Sequence, residues 1–243
     1  MSALFEELDY CPTPIGAVTL RRRRDLKLNQ DVFEIRLGDE SLMTSLFTAS
    51  EIALARLGLA ALDNAVAPAV VVGGLGLGYT ANAVLEGAQG ASLIVVEALA
   101  PVIEWHESGV LPLGNAVAAD PRCRLVQGDF FAMATAQDGF DPSMPGRLFD
   151  AILVDIDHSP DTLLNEGSAP FYQPDGLRRL ARHLRSGGVF GLWSDALPNE
   201  TFLARLATVF AEAWAEPVAF HNPLQDRPFT QTVYLARTEQ GAT

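Results

Sequence analysis

Two periods of apolar and polar residues run along this chain, and the change from one to the other divides it. Between residues 16 and 47 the period is two: Phe33, Ile35 and Leu37 alternate with Glu34 and Arg36, and Gly38-Asp39-Glu40-Ser41 interrupts before Leu42-Met43-Thr44-Ser45. That alternation predicts an antiparallel unit of two or three strands. Thr48-Ala49-Ser50-Glu51 then has the form of a capping box, and Ile52, Leu54, Ala55, Leu57, Leu59 and Leu62 follow at mixed helical spacing. A helix is expected to lead to Pro68. From Ala69 onward short β-branched runs alternate with helical patterns, as in a mostly parallel sheet covered on both faces. The expected strands are 69–73, 92–97, 123–127, 149–155, 188–193, 217–221 and 231–236. The pattern thus predicts an α/β protein in two units, residues 1–47 and 48–243.

Between those strands the helices carry their own punctuation. One runs from about Tyr79 to Glu86 and should stop at Gly87; Pro101 opens the next and Gly109 can end it. Helices are expected near 174–185 and 198–214, the latter with a core-facing stripe of Phe202, Leu203, Leu206, Val209, Phe210 and Ala213. Asp138 to Gly146 is turn chemistry throughout and reads as a surface loop. Pro228-Phe229-Thr230-Gln231 reads as a β-turn, with an aromatic lid as the alternative. Arg21 to Arg24 would split two and two across a strand, which predicts a solvated hairpin end rather than an anion site.

Composition narrows the function classes. At 243 residues and 49% hydrophobic, the chain can fill one sizeable α/β core with an appendage. Seventeen basic against thirty acidic residues give a net charge of −13, which repels phosphate backbones and argues against nucleic acid as a partner. Cys11 and Cys123 lie far apart with no metal-ligand spacing, so neither a metal site nor a disulfide is expected. The acidic start Met1-Ser2-Ala3-Leu4-Phe5-Glu6-Glu7-Leu8-Asp9 lacks the order of a secretory signal, and no run has membrane-span length. Cytoplasm is the expected compartment.

The candidate chemistry lies at the ends of strands. Val70-Val71-Val72-Gly73-Gly74-Leu75-Gly76-Leu77-Gly78-Tyr79 breaks from a strand into glycines and then a helix, where bare backbone and unpaired N–H groups can touch a ligand. Gly76 to Ala81 also fits the G-x-G-x-x-A dinucleotide form. Three later strands each end in a carboxylate: Glu97, Asp129 and Asp155. Glu97, 21 residues after Gly76, is placed to accept ribose hydroxyl protons. Asp129, in Gly128-Asp129-Phe130-Phe131, can accept an adenine amino proton, and equally can cap the next helix. Asp155 is the best-placed proton acceptor, with Asp157 and Asp161 adding negative potential and His158 as an alternative base. Trp193-Ser194-Asp195 can line an acceptor pocket.

The glycine loop, the strand-end Glu97, Gly128-Asp129 and Phe149-Asp150-Ala151-Ile152-Leu153-Val154-Asp155 together resemble the class I S-adenosylmethionine methyltransferase fold, and within it the spermidine synthase family. The resemblance extends over residues 14–236, the N-terminal β unit included. It implies a Rossmann-like seven-stranded sheet, Gly74 and Gly76 beside the methionine-derived chain, Gly78 in the same loop, Glu97 on the ribose, Gly128-Asp129 at the adenine and Asp155 as acid/base group. The chain departs from that family at three places. Gly76 stands where the family has an acid for the aminopropyl ammonium, and of a Tyr-His-Glu group only Glu51 is kept. Asp155 to Asp161 replaces the family's Asp-x-x-Asp-Pro.

The reading that results is an enzyme, an S-adenosylmethionine-type transferase, more a methyltransferase than an aminopropyltransferase. Its donor would be S-adenosylmethionine, or the decarboxylated form under the alternative. Its acceptor would be a small molecule, an amine-bearing cation among the candidates, contacted by Asp157, His158, Asp161 and Glu51. A homodimer is one candidate assembly, and the sequence does not fix the oligomeric state. The further alternatives are an NAD-linked oxidoreductase and a nucleoside-binding relative without activity.

Overall fold

The computed structural model describes residues 4–13, 15–63 and 66–241; residues 1–3 of the N-terminal reading and the last two residues lie outside them. The centre of the molecule is strand β5 (Ala69–Gly73), every residue of which is buried. Its two neighbours, β6 (Ser92–Glu97) and β8 (Phe149–Val154), both run parallel to it. Val70 and Val72 face one apolar cluster and Val71 the other, as strand geometry requires. Full burial of each of these valines stabilises the fold by roughly 1.5–3 kcal/mol.

The remaining strands are β7 (Cys123–Gln127), β9 (Leu184–Ser194), β10 (Glu212–Asn222) and β11 (Arg227–Arg237). The seven-stranded sheet has the order β10-β11-β9-β8-β5-β6-β7, with β11 antiparallel to both neighbours. Chain order reverses between β5 and β8, so the crevice expected in an open α/β sheet lies beyond their carboxyl ends. A separate antiparallel sheet has the order β1-β2-β3-β4, from β1 (Phe5–Thr13), β2 (Gly16–Asp25), β3 (Gln30–Leu37) and β4 (Glu40–Thr44). It is tied to the larger sheet's layer by Trp105 Nε1, which donates to Asp9 Oδ2 at 2.7 Å, and by Lys27 Nζ, which donates to the Pro223 carbonyl at 2.6 Å.

Several local expectations are corrected. Strand β1 was outside the alternating segment because Glu6, Glu7 and Asp9 hide its period. Those acids pair with the arginines of β2: Arg22 with Glu6 at 2.6 Å and Arg21 with Glu7 at 3.5 Å, while Arg23 and Arg24 pair with Glu34 and Asp31 of β3. The arginine run is therefore a ladder of cross-strand ion pairs, half-buried rather than a solvated end. Thr48 stands at the N-cap of helix α1 (Ala49–Ala60) but makes no side-chain cap, its backbone at φ −131 and ψ 5 being off the extended form a cap uses, and the Glu51 carboxyl lies against the Ser50 hydroxyl. The helix expected to reach 214 ends as α7 (Glu200–Ala207). Beyond it the long hairpin of β10 and β11, paired from Glu212↔Arg237 to Asn222↔Arg227, outweighs local helical spacing. Residues 228–231 accordingly sit within β11 and form no turn.

The loop at 138–146 is a surface loop only at its rims. Phe140 is fully buried in the aromatic cluster, stacked on Phe130 at 5.0 Å. Asp141, 3% exposed, accepts from Arg124, from Ser143 Oγ at 2.8 Å and from Arg147 Nη1 at 3.0 Å. Burial pushes this carboxyl up, but those hydrogen bonds outweigh burial and hold it well below the ordinary range. Because the folded value is depressed, its stabilisation is present above the unfolded value of ~3.9 and is lost as pH falls below it. Asp141→Ala should cost about 3 kcal/mol in urea unfolding near neutral pH, the scale for breaking a buried ion pair, and should flatten the acid limb of the stability profile. A loss under ~0.5 kcal/mol, the scale of an ordinary surface substitution, would remove Asp141 as the anchor.

Candidate active site

The glycine loop begins where β5 can no longer carry side chains. Gly74 has φ +90, and a Cβ there would stand 2.1 Å from the Asp155 carbonyl oxygen. Any other residue would push the loop off the end of β8. Gly76 has φ +47, and a Cβ there would stand 2.6 Å from the Met43 sulfur, which also accepts from the Leu77 N–H at 3.1 Å. Gly78 closes the loop as the N-cap of α2 (Tyr79–Gly87). From below, His106 of α3 (Ala100–Glu107) reaches the Gly76 carbonyl with Nε2 at 2.9 Å. A carbonyl can only accept, so Nε2 carries the proton; burial pushes the His106 pKa down, which keeps the ring neutral. Neither Met43 nor His106 was singled out by sequence, since each reads as an ordinary apolar or helical position.

Glu97 ends β6 within reach of the same loop. Its Oε2 accepts from the Leu75 N–H and its Oε1 from the Leu99 N–H, both at 2.9 Å. Burial pushes the carboxyl up, and the backbone N–H groups of Leu99, Leu75, Gly76 and Ala98 oppose it without cancelling it. Gly128 ties the next strand end to this one, its N–H donating to the Glu97 carbonyl at 2.9 Å. Asp129 is the N-cap of α5 (Phe130–Thr135): Oδ1 accepts from Phe131 N at 2.9 Å and Ala132 N at 3.2 Å. Its residue remains exposed at the sheet's end.

On the other side of the loop Asp155 and Glu51 come together. Asp155 Oδ2 accepts from Thr80 Oγ1 of α2 at 2.6 Å, and the same hydroxyl lies 3.3 Å from the Glu51 carbonyl oxygen. Burial pushes both carboxyls above the ordinary range, and the Asp155 charge pushes Glu51 further. Ser50 Oγ lies 2.7 Å from Glu51 Oε2 and 2.6 Å from Gln231 Oε1, and accepts from Trp193 Nε1 at 2.8 Å. Tyr79 stands against the pair; burial first and the Glu51 charge second push its phenol up. Among the described residues no ion pair involves Asp155, Glu51 or Glu97.

The three residues after Asp155 do not join it as one acidic wall. Asp157 is 1% exposed and turned inward, accepting from Tyr172 Oη at 2.7 Å, Leu164 N at 2.7 Å and Ser168 Oγ at 3.3 Å. It fixes the segment 157–172 and has no face toward an acceptor. Asp161 likewise accepts from Asn199 Nδ2 at 2.6 Å, which ties that segment to the start of α7. Asp157 is the buried acceptor that a loop folded back on the sheet needs for its own N–H and O–H groups, while Asp161 stays exposed and ties the loop to α7 from outside. His158 bridges outward, with Nε2 3.0 Å from Glu40 of β4 and Nδ1 3.9 Å from Asp195.

No protein-family model matches the chain. Among solved structures it is similar to a spermidine synthase in complex with the transition-state analogue AdoDATO, at TM-score 0.70 and 16% identity over 95% of this chain and 73% of that one. A probable spermidine synthase from Corynebacterium glutamicum superposes at TM-score 0.63 and 14% identity, over 97% and 81%. Human methyltransferase-like protein 13 in complex with SAH gives TM-score 0.58 and 17% identity, over 80% and 84%. The chain has the class I S-adenosylmethionine methyltransferase fold in its spermidine-synthase-like form, with the four-stranded antiparallel sheet at its N-terminus.

Proposed function

We propose that the protein is an S-adenosylmethionine-dependent methyltransferase acting on a small amine-bearing acceptor. The observation that carries this reading is a glycine loop flanked by Asp155, Glu51 and Glu97 with no basic side chain paired to any of them among the described residues. Such a setting favours a cation and disfavours the pyrophosphate of a dinucleotide. The donor set also fits: Glu97 is an acceptor for hydroxyl protons, Asp129 is at the exposed strand end, and Asp155 is an anion beside the loop. Bound there, S-adenosylmethionine would supply an electrophilic methyl group on a sulfonium.

In this reading Glu97 holds the ribose, Gly74, Gly76 and Gly78 give the loop its close approach, and Gly128-Asp129 borders the base. Asp155 takes the acceptor's proton, and a carboxyl raised above the ordinary range is a stronger base for that task. His158, between Glu40 and Asp195, borders the acceptor's entrance. Positioning of the two reactants can supply up to ~7–11 kcal/mol of the barrier. What supports methyl over aminopropyl transfer is the Met43 thioether against Gly76, which offers no charge to an ammonium at that point. Aminopropyl transfer from decarboxylated S-adenosylmethionine is the second reading, favoured by the likeness to spermidine synthases.

Calorimetric titration separates these readings. S-adenosylmethionine and methylthioadenosine should bind and NAD should not; binding of NAD alone would overturn the proposal, and tighter binding of the decarboxylated donor would favour aminopropyl transfer. Glu97→Ala should weaken nucleoside binding by about 1.5–3 kcal/mol, the scale for hydrogen bonds to a charged group. Unchanged affinity in the folded variant would take Glu97 out of the site. Asp155→Asn should leave both affinities nearly intact while turnover of an amine acceptor falls by roughly 10²–10⁴. Weaker binding of S-adenosylmethionine alone would instead give Asp155 the methionine amine, which methylthioadenosine lacks.

A further inference from the structure

The Ser50 hydroxyl has one proton and three close partners. Trp193 Nε1 is a donor only, so Ser50 Oγ accepts from it at 2.8 Å. Glu51 Oε2 at 2.7 Å and Gln231 Oε1 at 2.6 Å both face it as oxygens, and one hydroxyl proton cannot serve both. A proton on Glu51 resolves the count. Glu51 then donates to Ser50, Ser50 donates to Gln231, and the hydroxyl is used to its full capacity of one donation and two acceptances. Turning the Gln231 amide would also resolve it, but would leave an ionised Glu51 facing the Asp155 carboxylate with no cation beside either. Two neighbouring desolvated carboxylates, here linked through the Thr80 hydroxyl to the Glu51 backbone, resist ionising together near neutral pH.

We infer that Glu51 is held as a neutral acid beside the Asp155 carboxylate, so that the pair carries one proton and one negative charge and receives a single ammonium. The burial of Glu51, the desolvation that also raises half-buried Asp155, and the upward push of the Asp155 charge on Glu51 agree with that assignment. The titratable groups that face the pair are each other and Tyr79, whose phenol is itself pushed up and stays neutral near pH 7. The substrate class in this inference rests on the proposed function; the protonation of the pair does not.

The consequence for the proposed reaction is a definite proton path. An acceptor arriving as an ammonium gives one proton to Asp155 and exposes its nitrogen lone pair. That pair forms the new N–C bond to the methyl carbon, the C–S bond breaks with its electrons passing to sulfur, and the positive charge moves from sulfur to nitrogen. The carboxyl pair then holds two protons and no charge, which removes the attraction for the methylated ammonium. Loss of the Asp155 proton to solvent restores the pair. A doubly ionised pair would take up protons without ever becoming neutral in one turnover.

Carboxyl carbon NMR of the ligand-free, uniformly ¹³C-labelled chain tests the pair without any substrate. Two glutamates, Glu51 and Glu97, should titrate above the ordinary ~4.3, and the one that vanishes from the Glu51→Gln spectrum is Glu51. In Asp155→Asn the Glu51 midpoint should move down, because the facing charge is gone, whereas a purely structural glutamate would not respond. A Glu51 midpoint in the ordinary range, or one that Asp155→Asn leaves unmoved, would overturn the inference. Should Glu51→Gln fail to fold, the Asp155→Asn arm still decides it. Failure of the proposed function reads differently: if S-adenosylmethionine does not bind but both shifts are found, the transferase reading falls and the shared proton stands.

Discussion

The carboxyl ends of β5 and β8 approach until only backbone fits between them. The Asp155 N–H donates to the Gly73 carbonyl at 2.8 Å, and a Cβ on Gly74 would collide with the Asp155 carbonyl oxygen. On the opposite face a Cβ on Gly73 would stand 2.5 Å from the Phe130 ring. This close passage fixes where the chain can turn, and it delivers the Asp155 side chain next to the start of α2. Thr80 then reaches it in the first turn of that helix. The position of the carboxylate therefore follows from two glycines and a strand register rather than from contacts of its own.

Around that fixed point the fold accumulates acid without base. In the N-terminal sheet and at the 138–146 loop acids meet bases: the β2 arginines against Glu6, Glu7, Glu34 and Asp31, and Asp141 against Arg124 and Arg147. At the crevice the matching stops: Glu51 is buried and Asp155 and Glu97 are half-buried, against hydroxyls and backbone N–H groups only. Burial of such groups costs stability, and strongly perturbed carboxyls gathered in one cleft mark a functional site more often than a structural one. The N-terminal sheet adds to this edge of the sheet as well, with Met43 over the glycine loop and Glu40 against His158.

Much of this architecture was legible because its signals are local. The β-branched run at 70–72, the glycines that follow and the acids at 97, 129 and 155 sit at strand ends that can be read from period and turn chemistry alone. What escaped was set by distant partners. The inward turn of Asp157 depends on Tyr172 and Ser168, fifteen and eleven residues on, and no spacing rule distinguishes it from a solvated loop acid. Met43 and His106 act through a sulfur and a ring nitrogen placed by tertiary packing. The end of α7 was misjudged because the stripe through Phe210 continues at helical spacing while the hairpin partner that captures residues 212–222 lies later in the chain.

A crystal structure with S-adenosylhomocysteine bound would test the account most directly. The ribose hydroxyls should lie on Glu97 and the sulfur should face the Asp155 carboxyl, with open space between sulfur and carboxyl for a small amine. A nucleoside seated away from Glu97, or a sulfur facing away from Asp155, would contradict it.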